Sequence, residues 1–294
     1  MTPAKTSLFV IMAREAKTAV VLRRGPSKQV LLIKWDLKKD SFVAGQWLKG
    51  RIYERRCDLS PNGELFIYLA AKNKKPLYAW TAVSKPPFLT ALALWENMGA
   101  WGGGGLFETN SSILLNTRPH YHKILNGLAL RKGMLLRALG EHAGRGEDNP
   151  IYHMRLVRDG WTLKQKGAFT EQRSRSGLVW KADPAVIYQI AQQKRGTAHN
   201  LQMQIRAVGN TQDSWYSIDY EVFSKDGASL LKLPQTSWAD WDWNGDLLFA
   251  DKGCLYRLRI NKNGAVERSQ AKRLADFSKL SFTEKIAPAK AQKW

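Results

Sequence analysis

His120 and His122 stand two residues apart, so an extended backbone between Pro119 and Ile124 puts both imidazoles on one face. That is a start on a metal site, but a tetrahedral site needs more ligands, and His142 or His153 would have to supply the next. Asp240, Asp242 and Asp246 crowd a turn that also carries Trp238, Trp241 and Trp243. Glycoside hydrolysis uses two carboxyls at a set separation, here beside aromatic platforms, with Asp240 and Asp242 as the candidate pair. The plainer reading is aspartates that cap a turn among core indoles. A third constellation is cationic. Arg51, Arg55 and Arg56 precede one apolar run, and Lys72, Lys74 and Lys75 follow it. Trp47, Trp80, Trp95 and Trp101 lie in the same third of the chain. Cations neutralise phosphates and aromatic faces stack on unpaired bases, so this set, with Trp101, is the candidate binding surface. Its plainer reading is tryptophans packed between sheets and lysines on solvated loops.

Other chemistries find little. Trp101 opens the run Gly102-Gly103-Gly104-Gly105, but no Gly-Lys-Ser/Thr follows and Glu108 comes soon after, which speaks against a phosphate loop. The run suits a close backbone approach or a flexible loop. No Gly-x-Ser-x-Gly elbow occurs. Cys57 and Cys254 form no Cys-x-x-Cys or Cys/His cluster and read as buried thiols, so neither a structural metal nor a cofactor is expected.

Any such site must be held by the surrounding elements, and these read as strands. The chain has 294 residues, 44% of them hydrophobic, enough for one large β domain or two ordinary ones. Its formal charge of +21 favours anionic partners. The apolar run Leu8 to Ala13 is short for a signal sequence and nothing is long enough to span a membrane as a helix, so a cytoplasmic location is expected. Leu8 to Ala13, Ala19 to Leu22 and Val30 to Trp35 form an antiparallel meander. Leu77 to Val83 reads as a strand, Phe88 to Trp95 as a strand or a helix, and Ser112 to Asn116 as another strand. Pro119 to Gly133 is basic and settles on no single period. Ile151 to Val157 reads as a strand, and Asp159-Gly160 as a hairpin signal. Lys164 to Gly177, with Arg173 and Arg175, reads as an exposed loop. Leu178 to Trp180 and Ala185 to Ala191 read as two strands parted by Asp183-Pro184. Leu201 to Val208 alternates with period two, as does Trp215 to Phe223. Asn263-Gly264 reads as a turn.

Ser60-Pro61-Asn62-Gly63 is a β-turn by composition, and the run Leu65-Phe66-Ile67-Tyr68 after it is a buried strand. Aligning Asp58 with Asp240 sets Asn62-Gly63 on Asn244-Gly245 and Leu65 on Leu247. Propeller blades repeat about every 40–45 residues, and four such periods about span the distance between the two turns. Weaker signals fall between them, at Asn110-Ser111 and Asp159-Gly160. The Ser-Pro-Asn-Gly turn and its strand resemble the repeat of the TolB-like and WD40-like β-propeller families. The match covers about a dozen residues, the copy near Asp240 lacks Ser-Pro, and no Gly-His…Trp-Asp signature recurs. The resemblance implies radially packed four-stranded sheets that serve as a binding platform, and it carries no catalytic residue onto this chain.

The expectation is therefore an all-β propeller of about six blades of antiparallel four-stranded sheets over residues 1–278, followed by a basic, flexible tail at 279–294. The expected role is non-enzymatic: a basic surface for an anionic partner, either an acidic protein or a nucleic acid. The alternative is a propeller-fold hydrolase or carbohydrate-active enzyme that uses the carboxylates near Trp238 to Trp243.

Overall fold

The computed structural model describes residues 6–25, 28–141, 143–144, 148, 150–174, 177–192, 199–209, 215–260 and 266–294. They are half strand, arranged as five sheets, with one α-helix among the described residues. The chain divides into two compact units, Met1–Arg155 with Lys279–Trp294, and Leu156–Ser278.

The first unit holds three sheets. β1 (Ser7–Met12), β2 (Thr18–Arg24), β3 (Gln29–Asp36) and β4 (Ser41–Lys49) pair in sequence order, all antiparallel. This is the expected meander, extended by a fourth strand that is mostly exposed or half-buried, with Val43 and Ala44 among its exposed residues. In the second sheet, the short β5 (Arg51–Ile52) and β6 (Asp58–Leu59) both pair with β7 (Phe66–Ala71), which is followed by β8 (Ala79–Ser84) and β9 (Ala93–Asn97). Every residue of β7 and β8 is buried, as a continuous apolar run requires of a two-sided interior strand. Only Ala93–Asn97 of the stretch from Phe88 is strand; Pro86-Pro87 and the polar groups of Thr90 hold the approach as a loop. The third sheet contains β10 (Gly105–Thr109), β11 (Ser112–Leu115) and β12 (Leu135–Ala138), and its last pair is parallel. Leu65, Ile67, Val83, Trp95, Phe107, Ile113, Leu115 and Met134 form a common core between the second and third sheets, against which Ile124, Leu130 and Trp294 pack.

The second sheet meets both of its neighbours through β6. β6 touches both β1 and β10. The buried Asp58 carboxylate accepts the Phe107 N–H at 2.8 Å. Arg14 Nη2 donates to the carbonyls of Phe107 and Glu108, both at 3.1 Å, and Asn62 N–H donates to Asn110 Oδ1 at 2.9 Å. Backbone polar groups of β10 and of the Ser60–Gly63 turn are thereby satisfied by side chains from neighbouring segments.

α1 (Ile151–Arg158) replaces the strand expected at Ile151 to Val157. Ile151, Tyr152, Arg155 and Leu156 are buried while Val157 is exposed, a helical face rather than an alternation. The Asp159-Gly160 pair closes this helix and turns no hairpin. Gly160 takes φ +96°, its N–H reaches Val157 O at 3.1 Å, and the Trp161 N–H reaches Leu156 O at 2.9 Å. These are the two bonds of a Schellman cap, which needs a glycine at the left-handed position.

The second unit contains β13 (Thr162–Gln165), β14 (Phe169–Ser174), β15 (Gly177–Ala191), β16 (Asn200–Gly209), β17 (Tyr216–Phe223) and β18 (Ser229–Leu233), with β13 and β14 both paired to β15. Two expectations change here. The charged stretch from Lys164 carries strand β14, whose described side chains from Phe169 to Arg173 are exposed; its polarity marks a solvated strand, and Arg175 lies outside the described residues. Asp183-Pro184 does not separate two strands: β15 runs through it, and the ladder to β16 shifts register between Lys181 and Val186. A proline lacks the N–H that the ladder would use, so it sits at the irregularity. β16 keeps the predicted alternation, with Leu201, Met203, Ile205 and Ala207 buried. The fifth sheet is a four-strand meander of β19 (Trp238–Trp241), β20 (Leu247–Asp251), β21 (Cys254–Leu258) and β22 (Lys272–Asp276). The Asn263-Gly264 turn lies outside the described residues.

The two aligned turns share a glycine bend but close one residue apart: Ser60 N–H meets Leu65 O at 2.8 Å, whereas Asp242 N–H meets Asp246 O at 2.9 Å. Gly63 N–H bonds Ser60 O at 2.8 Å, and Gly245 N–H bonds Asp242 O at 3.0 Å; the glycines take φ +75° and +78°. Ser60 Oγ accepts the Leu65 N–H at 2.9 Å, and Asp242 Oδ1 accepts the Asn244 and Asp246 N–H groups at 2.7 and 2.8 Å. Each turn leads into the second strand of its sheet, β7 or β20. A Cβ on Gly63 would sit 2.1 Å from Thr18 Cγ2, so this position excludes a side chain twice over.

Candidate anion-binding edge

The second sheet gathers the cationic candidates at one end. Its register sets Arg51 opposite Ala71, Ala71 opposite Ala79, and Ala79 opposite Asn97. Everything one step past that row leaves the sheet at the same edge: the β7–β8 turn with Lys72, Lys74, Lys75 and Tyr78, and the loop after β9 with Met98 and Trp101. The segment at 117–124 joins them. It runs antiparallel to β9, with Ile124 bridged to Trp95 and His122 O accepting the Trp95 indole N–H at 3.1 Å. The 3₁₀ turn Pro119–Tyr121 therefore reaches the same end, with Arg118 just before it and Lys123 two residues after it.

Lys72, Lys74, Lys75, Arg118 and Lys123 are exposed and Arg51 is half-buried; the exposed carboxylate in β9 is Glu96. Large apolar groups stand among the cations. Trp101 is 64% exposed, Met98 93%, Tyr78 47% and Tyr121 50%. The Lys72 ammonium lies 5.9 Å from the Trp80 ring and the Arg51 guanidinium 4.9 Å from Tyr53, so both stems are steered along aromatic walls. The His120 ring rests against Tyr121, centroids 4.1 Å apart.

Arg55 and Arg56, grouped with these cations by sequence, lie inside the fold at 3% and 2% exposure. The Arg55 guanidinium covers the Tyr152 ring at 4.2 Å. Arg56 Nε pairs with Asp148 Oδ1 at 3.0 Å, and its Nη1 donates to the carbonyls of Ala100, Trp101 and Gly102 at 2.6, 3.0 and 3.2 Å. Arg56 is thus the internal support of the loop that presents Trp101. The glycine run serves the same end. A Cβ on Gly104 would lie 2.3 Å from Arg56 O, and one on Gly105 2.5 Å from Leu114 O, so the run is a close backbone approach and no phosphate cradle.

The remaining candidates fall apart from one another. His122 Nε2 is 3.0 Å from Thr117 O, whereas His120 sits on Tyr121; His142 lies outside the described residues. Among the described residues no three His, Cys, Asp or Glu side chains gather as a metal cage would require. The Asp242 carboxylate is spent on its own turn and on an ion pair with Arg257, and Asp240 Oδ1 accepts the Trp241 N–H at 2.8 Å. Arg257 also reaches Asp246 Oδ2 at 3.4 Å. These acids build a turn. Cys57 is fully buried and desolvation pushes its thiol well above the usual range, so it is no nucleophile.

Tyr78, Met98, Arg118, Tyr121 and Lys123 were not among the predicted site residues. One signal for the last three was present: no Asp or Glu occurs between Glu108 and Glu141, although Arg118, Lys123, Arg131, Lys132 and Arg137 do. No family model matches this chain, and no similar protein was found among curated ones.

Proposed function

We propose that this protein is a non-enzymatic binding platform of the β-propeller type, and that the second-sheet edge takes an anionic partner. The observation that carries the binding reading is the strand register, which sets Arg51 and the exposed Lys72–Lys75 turn at one end of the second sheet and runs the segment with Arg118 and Lys123 toward that end, where exposed rings also lie. Salt screens such cations from one another but a polyanion neutralises them together, releasing its own counterions. Support for the propeller reading comes from the first unit, where β6 lies against both β1 and β10, and from the two similar glycine turns. Sequential four-strand meanders, seen in the first and fifth sheets, are the unit from which propellers are made. Among the described residues no helix is long and apolar enough to cross a membrane.

The test is a salt titration of binding to a DNA strand, an RNA strand and a poly-glutamate peptide. Affinity for at least one should fall steeply with salt, and a Lys72→Gln/Lys74→Gln/Lys75→Gln variant should weaken it. No measurable binding to any of the three at low salt removes this reading.

A further inference from the structure

The aromatic groups at this edge separate one polyanion from another. An acidic peptide asks only for cations. A single nucleic-acid strand also offers flat, unpaired bases, and such bases stack on exposed rings. Burying a tryptophan is the ordinary way to use its area; Trp101 instead stands 64% exposed, in a loop that its glycines and Arg56 hold in place from behind. Tyr121 stands half exposed on the 3₁₀ turn, its ring against that of His120. Tyr78 lies at the hairpin exit beside Lys72, Lys74 and Lys75. The edge therefore carries both rings and cations: Tyr78 on the hairpin with the lysines, Trp101 on the loop after β9, and Tyr121 on the segment with Arg118 and Lys123. A duplex hides its base faces and would leave these rings unused.

Resting on the anion-binding reading above, we infer that the edge binds single-stranded nucleic acid, with bases stacked on Trp101 and Tyr121 and phosphates held by Lys72, Lys74, Lys75, Arg118 and Lys123. No base-edge readout is implied, so the preference is for strand over sequence.

The experiment measures, with the full chain, the anisotropy of a labelled twelve-nucleotide thymidine strand, of an abasic strand of equal length and charge, of a duplex, and of a poly-glutamate peptide. The thymidine strand should bind at least about five-fold tighter than the abasic one, since stacking on each ring is worth roughly that or more. Trp101→Ala and Tyr121→Ala should each remove about that factor, and Trp101→Phe should restore most of it. Both side chains are exposed, and the Trp101 carbonyl bond to Arg56 survives substitution, so folding is not at issue; far-UV circular dichroism checks it. Equal affinity for thymidine and abasic strands, or ring variants that bind like wild type, would overturn the stacking inference and leave anion binding standing. Tighter binding of the peptide than of the strand would do the same and assign the edge to an acidic protein. Failure of all four probes defeats both readings.

Discussion

Replacing Arg56 by Met tests whether a buried cation holds the edge in place. Met fills much of the same volume and keeps the apolar stem, but it removes every donor. Four acceptors then lose their partner: Asp148 Oδ1 and the carbonyls of Ala100, Trp101 and Gly102. Breaking a buried ion pair costs about 3–5 kcal/mol when the survivor is sealed from water. Asp148 is 15% exposed and the loop carbonyls lie near solvent, so water replaces part of what is lost. The expected destabilisation is about 2–4 kcal/mol. Arg56→Lys keeps the charge, yet one ammonium cannot reach both Asp148 and three carbonyls in the planar fork geometry, so about half of that loss should remain. Urea unfolding, followed by tryptophan fluorescence and far-UV circular dichroism, gives both values. A cycle with Asp148→Asn isolates the pair from the carbonyl bonds. The same Met variant should loosen the loop and lower strand affinity as Trp101→Ala does. A loss under about 1 kcal/mol, or a lysine variant as stable as wild type, would show that the guanidinium does not support the loop.

Asp242→Ala should cost about 2–4 kcal/mol, because the carboxylate serves two turn N–H groups and Arg257; urea unfolding checks it. Trp294→Ala should lower stability by about 1–3 kcal/mol, since its indole packs on the second-sheet core and donates to Ala129 O at 2.6 Å; thermal unfolding reads this, and no shift would detach the C-terminal segment from the core. Burial depresses the His199 pKa in the folded state, so the unfolded chain binds the extra proton first. Stability should therefore be full above about pH 6.5 and fall as pH drops through the folded value, and His199→Gln should flatten that fall in a pH series of unfolding midpoints.

The strands were legible wherever burial is one-sided or complete: the opening meander, β7 with its turn, and the alternating β16 all follow from period and turn chemistry. The glycine bends at Ser60–Gly63 and Asp242–Gly245 were legible too, but not their different closures: Ser60 Oγ takes the Leu65 N–H, whereas Asp242 Oδ1 takes those of Asn244 and Asp246. What the residues concealed was context. Ile151 to Val157 has few polar interruptions, so strand and helix look alike until Arg155 is seen to be buried, its Nη1 donating to Glu54 O at 3.2 Å. Arg55 and Arg56 look like Lys72 and Lys74 in a charge count, yet the guanidinium is weakly hydrated and multiply donating, and goes inside where an ammonium does not. The edge escaped notice because its parts come from three segments that only strand register brings together. His120 and His122 shared a face on paper, but a 3₁₀ turn begins between Arg118 and Tyr121 and breaks the extended backbone the pairing assumed.

That division of cations makes the charge excess a quantitative prediction. Arg23, Arg55, Arg56 and Arg155 are all buried, each donating to backbone carbonyls or lying on an aromatic ring, while no lysine is buried among the described residues. A chain that used its whole +21 against a single strand would lose affinity with a logarithmic salt slope of about −15. Only Arg51, Lys72, Lys74, Lys75, Arg118 and Lys123 face the proposed strand, which limits the slope to about −4. Neutralising Lys72, Lys74 and Lys75 together should halve it, to about −2. Arg55→Gln should leave it unchanged in whatever fraction remains folded, because that charge never meets a phosphate. A wild-type slope far steeper than −4 would mean that nucleic acid spreads over the basic surface at large, and the edge would then have no special claim on it.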